Sequence, residues 1–264
     1  MLEIKNLTKT FNPGTVNERV ALRDLHLTLR EGDFVTVIGG NGAGKSTLLN
    51  AIAGVWRPDC GNIVVDRTDI TAMPEHKRAK FLGRVFQDPM MGTAADMQIE
   101  ENLALAARRG KPRGLAWGIR SAERAEYRRL LANLDLGLED RLTAKVGLLS
   151  GGQRQALTLL MASLNAPKLL LLDEHTAALD PKTAAKVLEI TDRIVSEAGL
   201  TTLMITHNMK DAIAHGNRLI MMHEGQIVVD LAGEEKQKLT VEDLLGLFSQ
   251  ASRSEFAGDR AMLS

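Results

Sequence analysis

A glycine-rich segment at residues 39–47 has the residue types and the spacing needed to hold a chain of phosphates. It reads Gly39, Gly40, Asn41, Gly42, Ala43, Gly44, Lys45, Ser46 and Thr47, and it fits the phosphate-loop pattern of a glycine, four residues and then Gly-Lys-Ser. Backbone N–H groups and the start of the next helix bind anions in such a loop, and glycine allows a close approach. The lysine reaches the β- and γ-phosphates and the serine hydroxyl binds Mg²⁺. The segment predicts a magnesium–nucleotide site; a turn that only caps a helix is the alternative.

Two adjacent carboxylates, Asp173 and Glu174, follow the apolar run Leu169–Leu172. Ligands of open parallel sheets bind at the carboxyl ends of strands, and alternation along a strand sends neighbouring side chains in different directions. We therefore expect Asp173 to bind Mg²⁺ and Glu174 to orient and polarise an attacking water molecule. The alternative is a charged pair that merely ends a strand. Together with the phosphate loop, the pair predicts hydrolysis of a nucleoside triphosphate.

A second segment has the chemistry of an anion site. Ser150, Gly151, Gly152 and Gln153 stand at the start of a helix predicted over Gln153–Leu164, where a hydroxyl and glycine amides can bind an anion. This segment resembles the Leu-Ser-Gly-Gly-Gln signature of the ATP-binding cassette (ABC) ATPase superfamily, and the resemblance extends over about residues 1–230. It implies that the signature binds the γ-phosphate of an ATP held by a second copy. The active form would then be a head-to-tail homodimer, or paired cassettes, with two shared ATP sites.

Further family motifs follow in the family's order. Gln87 resembles the Q-loop glutamine, which senses magnesium and the attacking water, and His207 resembles the switch histidine that contacts the γ-phosphate. Asp180 resembles the D-loop aspartate, which communicates across the dimer. Phe11 stands where the family places an aromatic ring against adenine; an ordinary core or rim aromatic is the alternative. His175 departs from the family, which often has proline there, and we expect an inert surface residue rather than a proton donor.

Hydrophobic patterns predict the elements that position these motifs. Alternating apolar residues over the first thirty positions predict half-buried antiparallel strands with a turn at Asn12–Gly14. Phe34–Ile38 predicts a strand and Ser46–Ala53 a helix, with the phosphate loop between them. Good helix formers from about Met97 to Leu142 predict a helical lobe, interrupted at Gly110–Gly118.

The second half of the chain predicts a strand–helix–strand crossover, formed by Leu169–Leu172, Pro181–Ala198 and Thr201–Ile205. A hairpin with a turn at Glu224–Gly225 follows, and a short amphipathic helix is predicted over Val241–Phe248. The fold class is α/β: a P-loop NTPase (RecA-like) core with an antiparallel β-subdomain and an inserted helical subdomain. We expect an ABC ATPase domain at 1–232, with the helical signature subdomain at about 90–165, and a helical tail at 233–264.

Composition limits the possible partners. Lys plus Arg and Asp plus Glu both total 33, so the net charge gives no electrostatic reason to expect nucleic acid. The single Cys60 cannot form an intramolecular disulfide, and no export signal or run of about 20 apolar residues is visible. The basic residues from Arg108 to Arg129 are either a solvated helix face or a site near lipid headgroups. Met221–Met222 is expected in the core, whereas Met90–Met91 is a candidate contact for a membrane subunit.

These features predict the ATP-hydrolysing subunit of an ABC transporter, with ATP and Mg²⁺ as cofactors. The resemblance implies separate integral membrane permease subunits, an extracytoplasmic solute-binding protein and attachment to the cytoplasmic face of the plasma (inner) membrane. Uptake of amino acids or related small solutes is expected. A soluble ABC ATPase of DNA repair or translation and a non-catalytic regulator are the alternatives. The first lacks support because no coiled-coil insertion or second cassette is visible, and the second because both Glu174 and His207 are present.

Overall fold

A computed structural model describes residues 1–111 and 118–250. The strands are β1 (Leu2–Phe11), β2 (Arg19–Leu29), β3 (Phe34–Gly39), β4 (Cys60–Val65), β5 (Thr68–Asp69), β6 (Leu82–Val85), β7 (Leu169–Asp173), β8 (Thr202–Ile205), β9 (Arg218–His223) and β10 (Gln226–Ala232). The helices are α1 (Lys45–Ala53), α2 (Glu75–Arg78), α3 (Ile99–Ala107), α4 (Ser121–Ala132), α5 (Gly151–Ser163), α6 (Pro181–Ala198), α7 (Met209–Ala214) and α8 (Gly233–Gln237). Residues 241–250 are also helical and are called the tail helix.

The chain divides into two compact units. The first unit comprises Met1–Glu75 and the chain from Thr201 onward, and the second unit is His76–Leu200. This division does not test the domain boundaries expected from the sequence, which stay a prediction. No helix in the described part of the chain is long and apolar enough to cross a membrane.

An antiparallel sheet in the order β2-β1-β4-β5 begins the first unit, as the alternating pattern predicts. Leu2 pairs with Leu29 and Ile4 with Leu27, and all four side chains are buried. The turn between β1 and β2 contains the predicted Asn12–Gly14 segment. Every second residue therefore contributes to one apolar face of this sheet.

The first unit also contains strands in the order β10-β9-β3-β8. β3 is parallel to both β8 and β9, whereas β9 and β10 form the predicted antiparallel hairpin. Phe34 to Ile38 are all buried, as expected for a parallel strand covered on both faces. Its carboxyl end leads directly into the phosphate loop and α1.

The tail helix packs on this part of the first unit. Leu244 is fully buried in one cluster with Ile38, Ala212, Leu219 and Met221, and Leu247 and Phe248 pack against that cluster. The predicted helix over Val241–Phe248 is confirmed, with the described helical residues running from 241 to 250. The short helix α8 before it lies at the start of the segment 233–264 that was expected to be a helical tail, although no separate helix was predicted there.

The second unit contains the parallel pair β6 and β7, and helices α3 to α6. Leu170, Leu171 and Leu172 have no exposed surface, because β7 is the apolar run expected of a central strand. α3 and α4 confirm a largely helical segment, although most of the predicted Gly110–Gly118 interruption lies outside the described residues. Helix α6 begins at Pro181, as predicted.

Candidate functional site

The phosphate loop contains three glycines with positive φ, at positions 39, 42 and 44, and the first and last are also closed in by backbone carbonyl groups. A side chain at Gly39, where φ is 153°, would collide with the carbonyl oxygen of Met222. A Cβ at Gly44, where φ is 99°, would stand 2.5 Å from the carbonyl oxygen of Ala21. Glycine is therefore required at both positions, for conformation and for space, and Gly44 serves as the N-cap of α1.

Lys45 lies across its own loop. Its Nζ donates to the carbonyl oxygens of Gly39 at 2.7 Å and Gly40 at 3.1 Å, and the residue is only 7% exposed. Ser46 beside it is exposed. The loop thus presents an ammonium group, a hydroxyl and a helix start within three consecutive residues, which is the chemistry that a polyphosphate requires.

Phe11 ends β1 and belongs to an aromatic pair. Its ring centroid lies 5.2 Å from that of Trp56 in an edge-to-face arrangement, and Lys9 Nζ is 5.7 Å from the Phe11 ring. Arg19 faces Phe11 in the β1–β2 register and donates from Nη2 to the carbonyl oxygen of Gly42 at 2.9 Å. Sequence patterns gave no signal for Trp56 or Arg19, because both contacts come from strand register and loop position.

His207 is brought to the same edge of the sheet as the phosphate loop. β3 and β8 are parallel with Val37 opposite Ile205, and Thr206 N donates to Val37 O at 3.1 Å. The carboxyl ends of the two strands are therefore neighbours, and His207 is exposed there. This edge is where ligands of parallel sheets bind.

In the second unit, Gln87 and the two carboxylates follow neighbouring strands. β6 and β7 are parallel, with Val85 opposite Leu172, so Asp173 at the end of β7 and Gln87 two residues after β6 lie at the same edge. Arg84 Nη2 stands 3.6 Å from Asp173 Oδ2, and both side chains are mostly buried. Glu174 then adopts a left-handed φ of 44°, which is uncommon for a residue with a side chain.

His175 is buried, so the expectation of an inert surface residue is wrong. Only 2% of the residue is exposed, and its Nε2 lies 3.0 Å from Thr191 Oγ1 on α6. The physical reason is the left-handed turn at Glu174, after which the ring of His175 lies against α6 rather than in solvent.

Ser150 is the N-cap of α5. Gln153 N donates to Ser150 Oγ at 3.3 Å, and Ser150 N donates to Gln153 Oε1 at 3.2 Å, which is a capping box. Helix α5 therefore begins at Gly151, two residues before the predicted start at Gln153. Ser150 and Gly151 are exposed, so the hydroxyl of Ser150 and the amide of Gly151 lie at the accessible side of this helix start.

Asp180 caps α6 beside the signature segment. Thr183 N donates to Asp180 Oδ1 at 3.1 Å, and hydrogen bonds from Thr183 hold the pKa of Asp180 below its ordinary value of 3.8. A Cβ on Gly151 would touch Leu179 at 3.3 Å, and one on Gly152 would collide with Thr183. The second unit thus brings the signature segment and the Asp180 turn together.

Oxygen donors expected for Mg²⁺ occur in both units: the hydroxyl of Ser46 in the first, and the carboxylate of Asp173 and the amide of Gln87 in the second. No group of three or more His, Cys, Asp or Glu side chains that could hold a metal occurs among residues 1–111 and 118–250. Each of these oxygens is of the kind that Mg²⁺ binds in proteins, where the ion uses few protein oxygens and takes its other ligands from phosphates and water.

A family model described as ABC transporter matches residues 22–177. This chain belongs to the ABC transporter family. A tyrosine transport ATP-binding protein of Clostridioides difficile strain R20291 is 48% identical over 251 residues, which are 95% of this chain and 100% of that protein. The methionine import ATP-binding protein MetN 2 of Rhodococcus jostii strain RHA1 is 36% identical over 86% of this chain; the match spans 65% of that protein.

Solved structures agree with this assignment. A dimeric ATP-binding cassette in a post-hydrolysis state with ADP and Pi has a TM-score of 0.74 and 30% identity, over 88% of this chain and 98% of that one. The predicted α/β P-loop NTPase fold is confirmed. This ABC protein is the ATP-binding, ATP-hydrolysing subunit of a transporter, and the solved cassettes similar to it include dimers.

Proposed function

We propose that this ATPase drives uptake of an amino acid or a related small solute through separate membrane-spanning subunits. The supporting observation is the 48% identity to a protein named as a tyrosine transport ATP-binding protein, over 95% of this chain and the full length of that protein. A relative named as a methionine import protein supports the same solute class and direction. An extracytoplasmic solute-binding protein would deliver the solute, and the ATPase would lie at the cytoplasmic face of the inner membrane.

The working unit in this proposal is a homodimer with two shared ATP sites. Ser150 and Gly151 are exposed at the N-terminus of α5, and the capping box uses neither the hydroxyl proton of Ser150 nor the amide of Gly151, so these two donors are available to a phosphate from another chain. In each site the phosphate loop of one copy and the signature segment of the other would hold one ATP. Binding would close the dimer, and hydrolysis would open it and move the membrane subunits.

Each predicted site residue has a proposed role. Phe11 supports the adenine, and the loop residues Gly39, Asn41, Gly42, Ala43, Gly44, Lys45, Ser46 and Thr47 bind the phosphates. Ser150, Gly151, Gly152 and Gln153 bind the γ-phosphate held by the partner copy, and Asp180 lies beside them.

Catalysis in this proposal combines a base with charge stabilisation. Glu174 accepts a proton from the attacking water, while Lys45 and His207 stabilise charge on the transferring phosphoryl group. Ser46, Gln87 and Asp173 would hold Mg²⁺, which when bound neutralises charge on the phosphates.

Arg19 and Trp56 extend this site. The Arg19 guanidinium already donates to Gly42 O in the phosphate loop, and its planar group of donors suits phosphate oxygens. Trp56 holds the ring of Phe11 from one side by an edge-to-face contact. We assign to Arg19 a contact with the nucleotide phosphates and to Trp56 the orientation of Phe11.

The test is to purify the tagged chain from its native membranes in mild detergent and to identify by mass spectrometry what co-purifies. We expect a multi-span membrane protein, and after reconstitution ATP-dependent uptake of radiolabelled tyrosine or another amino acid, with spermidine as the negative control. Recovery of soluble partners alone would contradict the transporter assembly. Uptake of spermidine but of no amino acid would contradict the proposed solute class.

A further inference from the structure

The connection between β7 and α6 carries the proposed catalytic base and is anchored at its second residue. Glu174 is the first residue after β7, and its carbonyl oxygen accepts a hydrogen bond from Ala177 N at 2.9 Å. His175 follows, and its buried ring reaches Thr191, which lies in the middle of α6 and is fully buried. The connection is thus attached to α6 well before it enters that helix at Pro181.

The direction of the His175–Thr191 hydrogen bond follows from the partners of Thr191. Thr191 Oγ1 lies 2.8 Å from Val187 O, to which its single hydroxyl proton is donated. The hydroxyl oxygen can therefore only accept from His175, so Nε2 of His175 carries a proton. Because that proton is directed at Thr191, Nε2 of the buried His175 ring is not placed to donate a proton to phosphate or water.

We propose that His175 is a positioning residue for Glu174, acting through its hydrogen bond to Thr191. The proposal rests on Glu174 being the base. Consecutive Cα atoms are about 3.8 Å apart, so an anchor on His175 restrains the peptide that joins it to Glu174. A directional hydrogen bond from a buried ring restrains that peptide more narrowly than apolar packing, which has no preferred direction.

The left-handed conformation of Glu174 explains the need for an anchor. A residue with a side chain is disfavoured at φ near 44° and persists there only when the surrounding structure holds it. The strand before Glu174 is fixed by the β6–β7 pairing, whose last pair is Val85 and Leu172. Ala177 N donates to the carbonyl group of Glu174, and His175 holds the following peptide. Without that third restraint, the Glu174 carboxylate would no longer be kept within hydrogen-bond reach of the attacking water.

This mechanism predicts an effect on turnover and not on ATP binding. A misplacement of about 1 Å in a catalytic group can cost on the order of 100-fold in rate. Lys45, Phe11 and the phosphate loop lie in the first unit, whereas His175, Thr191 and Glu174 lie in the second. Loss of the anchor should therefore lower kcat and leave the KM for ATP nearly unchanged.

The experiment compares steady-state ATP hydrolysis by the full chain, four single variants and one double variant. His175→Leu removes the donor, Thr191→Val removes the acceptor while keeping the shape, and His175→Gln restores an N–H donor at a similar distance. Thr158→Val is the matched control, because Thr158 is buried on α5 and donates to Arg154 O at 2.9 Å, four residues earlier, as Thr191 does to Val187.

We expect His175→Leu and Thr191→Val to lower kcat by about 10- to 100-fold, with the KM for ATP changed by less than about twofold. His175→Gln should recover most of the rate, Thr158→Val should keep it, and the double variant His175→Leu/Thr191→Val should be no slower than the slower single variant. Unchanged kcat in Thr191→Val, or a His175→Gln variant as slow as His175→Leu, would overturn the proposal. If His175→Leu does not fold, Thr191→Val alone decides.

Glu174→Gln measured in parallel separates this proposal from the one on which it rests. If Glu174→Gln hydrolyses ATP at the wild-type rate, Glu174 is not the base and the proposed function of that residue fails. If Glu174→Gln is inactive while His175→Leu and Thr191→Val keep the wild-type kcat, only the positioning role fails. If Glu174 is the base and His175 positions it, adding His175→Leu to Glu174→Gln should produce no further loss of ATP turnover.

Discussion

Glu174 combines a carboxylate at the end of a buried strand with a left-handed backbone, and both features bear on catalysis. Gln has nearly the same shape as Glu but cannot accept a proton from water, so Glu174→Gln removes the base and little else. General-base catalysis contributes about 10²- to 10⁴-fold, and we expect turnover to fall within that range. ATP binding should persist, because the phosphate loop is unchanged, and an ATP-bound dimer should accumulate. Phosphate release and equilibrium binding of labelled ATP measure the two effects.

Glu224→Gln is the control for this substitution. Glu224 is exposed in the β9–β10 turn and has a φ of 43°, almost the same as Glu174. The change from Glu to Gln is therefore made on the same backbone conformation without touching a proposed catalytic group. Equal losses of turnover in the two variants would show that the effect is not specific to Glu174.

Single residues could be predicted from the sequence where a motif fixes the local backbone. The glycines at 39 and 44 are examples, because only glycine fits their positive φ and the neighbouring carbonyl groups. His175 was predicted wrongly, since its burial depends on a left-handed turn and on packing against α6, which no local pattern encodes. Arg19 was missed because its contact with Gly42 depends on the β1–β2 register.

Among the elements, the tail helix gives a direct test of packing. Leu244 has no exposed surface and lies in one cluster with Ile38, which precedes the phosphate loop. Replacing a buried leucine by alanine removes apolar contacts and leaves a cavity, so Leu244→Ala should lower the free energy of unfolding by about 2–5 kcal/mol. The neighbouring Leu245 is 50% exposed, and Leu245→Ala should change the free energy of unfolding by about 0.5 kcal/mol or less.

Urea unfolding followed by circular dichroism measures both variants. A similar effect of the two substitutions would mean that the tail helix does not pack on the first unit as described. The ring of Phe248, further along the same helix, lies 3.4 Å from where a Cβ on Gly40 would stand. Displacement of the tail helix should therefore also make the phosphate loop less ordered. We expect Leu244→Ala to bind ATP more weakly for this reason.

Elements were predictable where the hydrophobic period was long or continuous. The apolar runs of β3 and β7 and the pattern of α6 are of this kind, and all three occur near the expected bounds. β4 and β6 were not identified, because short strands interrupted by polar residues have no clear period. The start of α5 was placed two residues late, since the capping box of Ser150 and Gln153 lies inside the signature segment.

At the scale of the whole molecule, the proposed dimer has two shared ATP sites, and the substitutions Ser150→Arg and Lys45→Ala test that arrangement together. Ser150 is exposed at the start of α5, where an arginine would occupy the position proposed for the partner's γ-phosphate. Ser150→Arg should therefore abolish ATP-induced dimerisation and turnover, while the affinity of the single chain for ATP stays within a few fold. Ser150→Ala controls for loss of the helix cap, which alone costs about 1 kcal/mol.

Mixing Ser150→Arg with Lys45→Ala separates shared sites from sites made within one chain. The first variant keeps a functional phosphate loop and the second keeps a functional signature segment, so a mixed dimer contains one intact site, formed by residues of both chains. Random pairing in an equimolar mixture would give about one quarter of the wild-type turnover, because half of the dimers are mixed and each has one of two sites intact. Ser150→Arg does not dimerise with itself, which favours mixed dimers, so between about one quarter and one half of the wild-type turnover should return. Sedimentation velocity measures the formation of dimers, and phosphate release measures the turnover. If two inactive variants stay inactive when mixed although mixed dimers form, each chain uses its own signature segment and the shared-site arrangement is wrong.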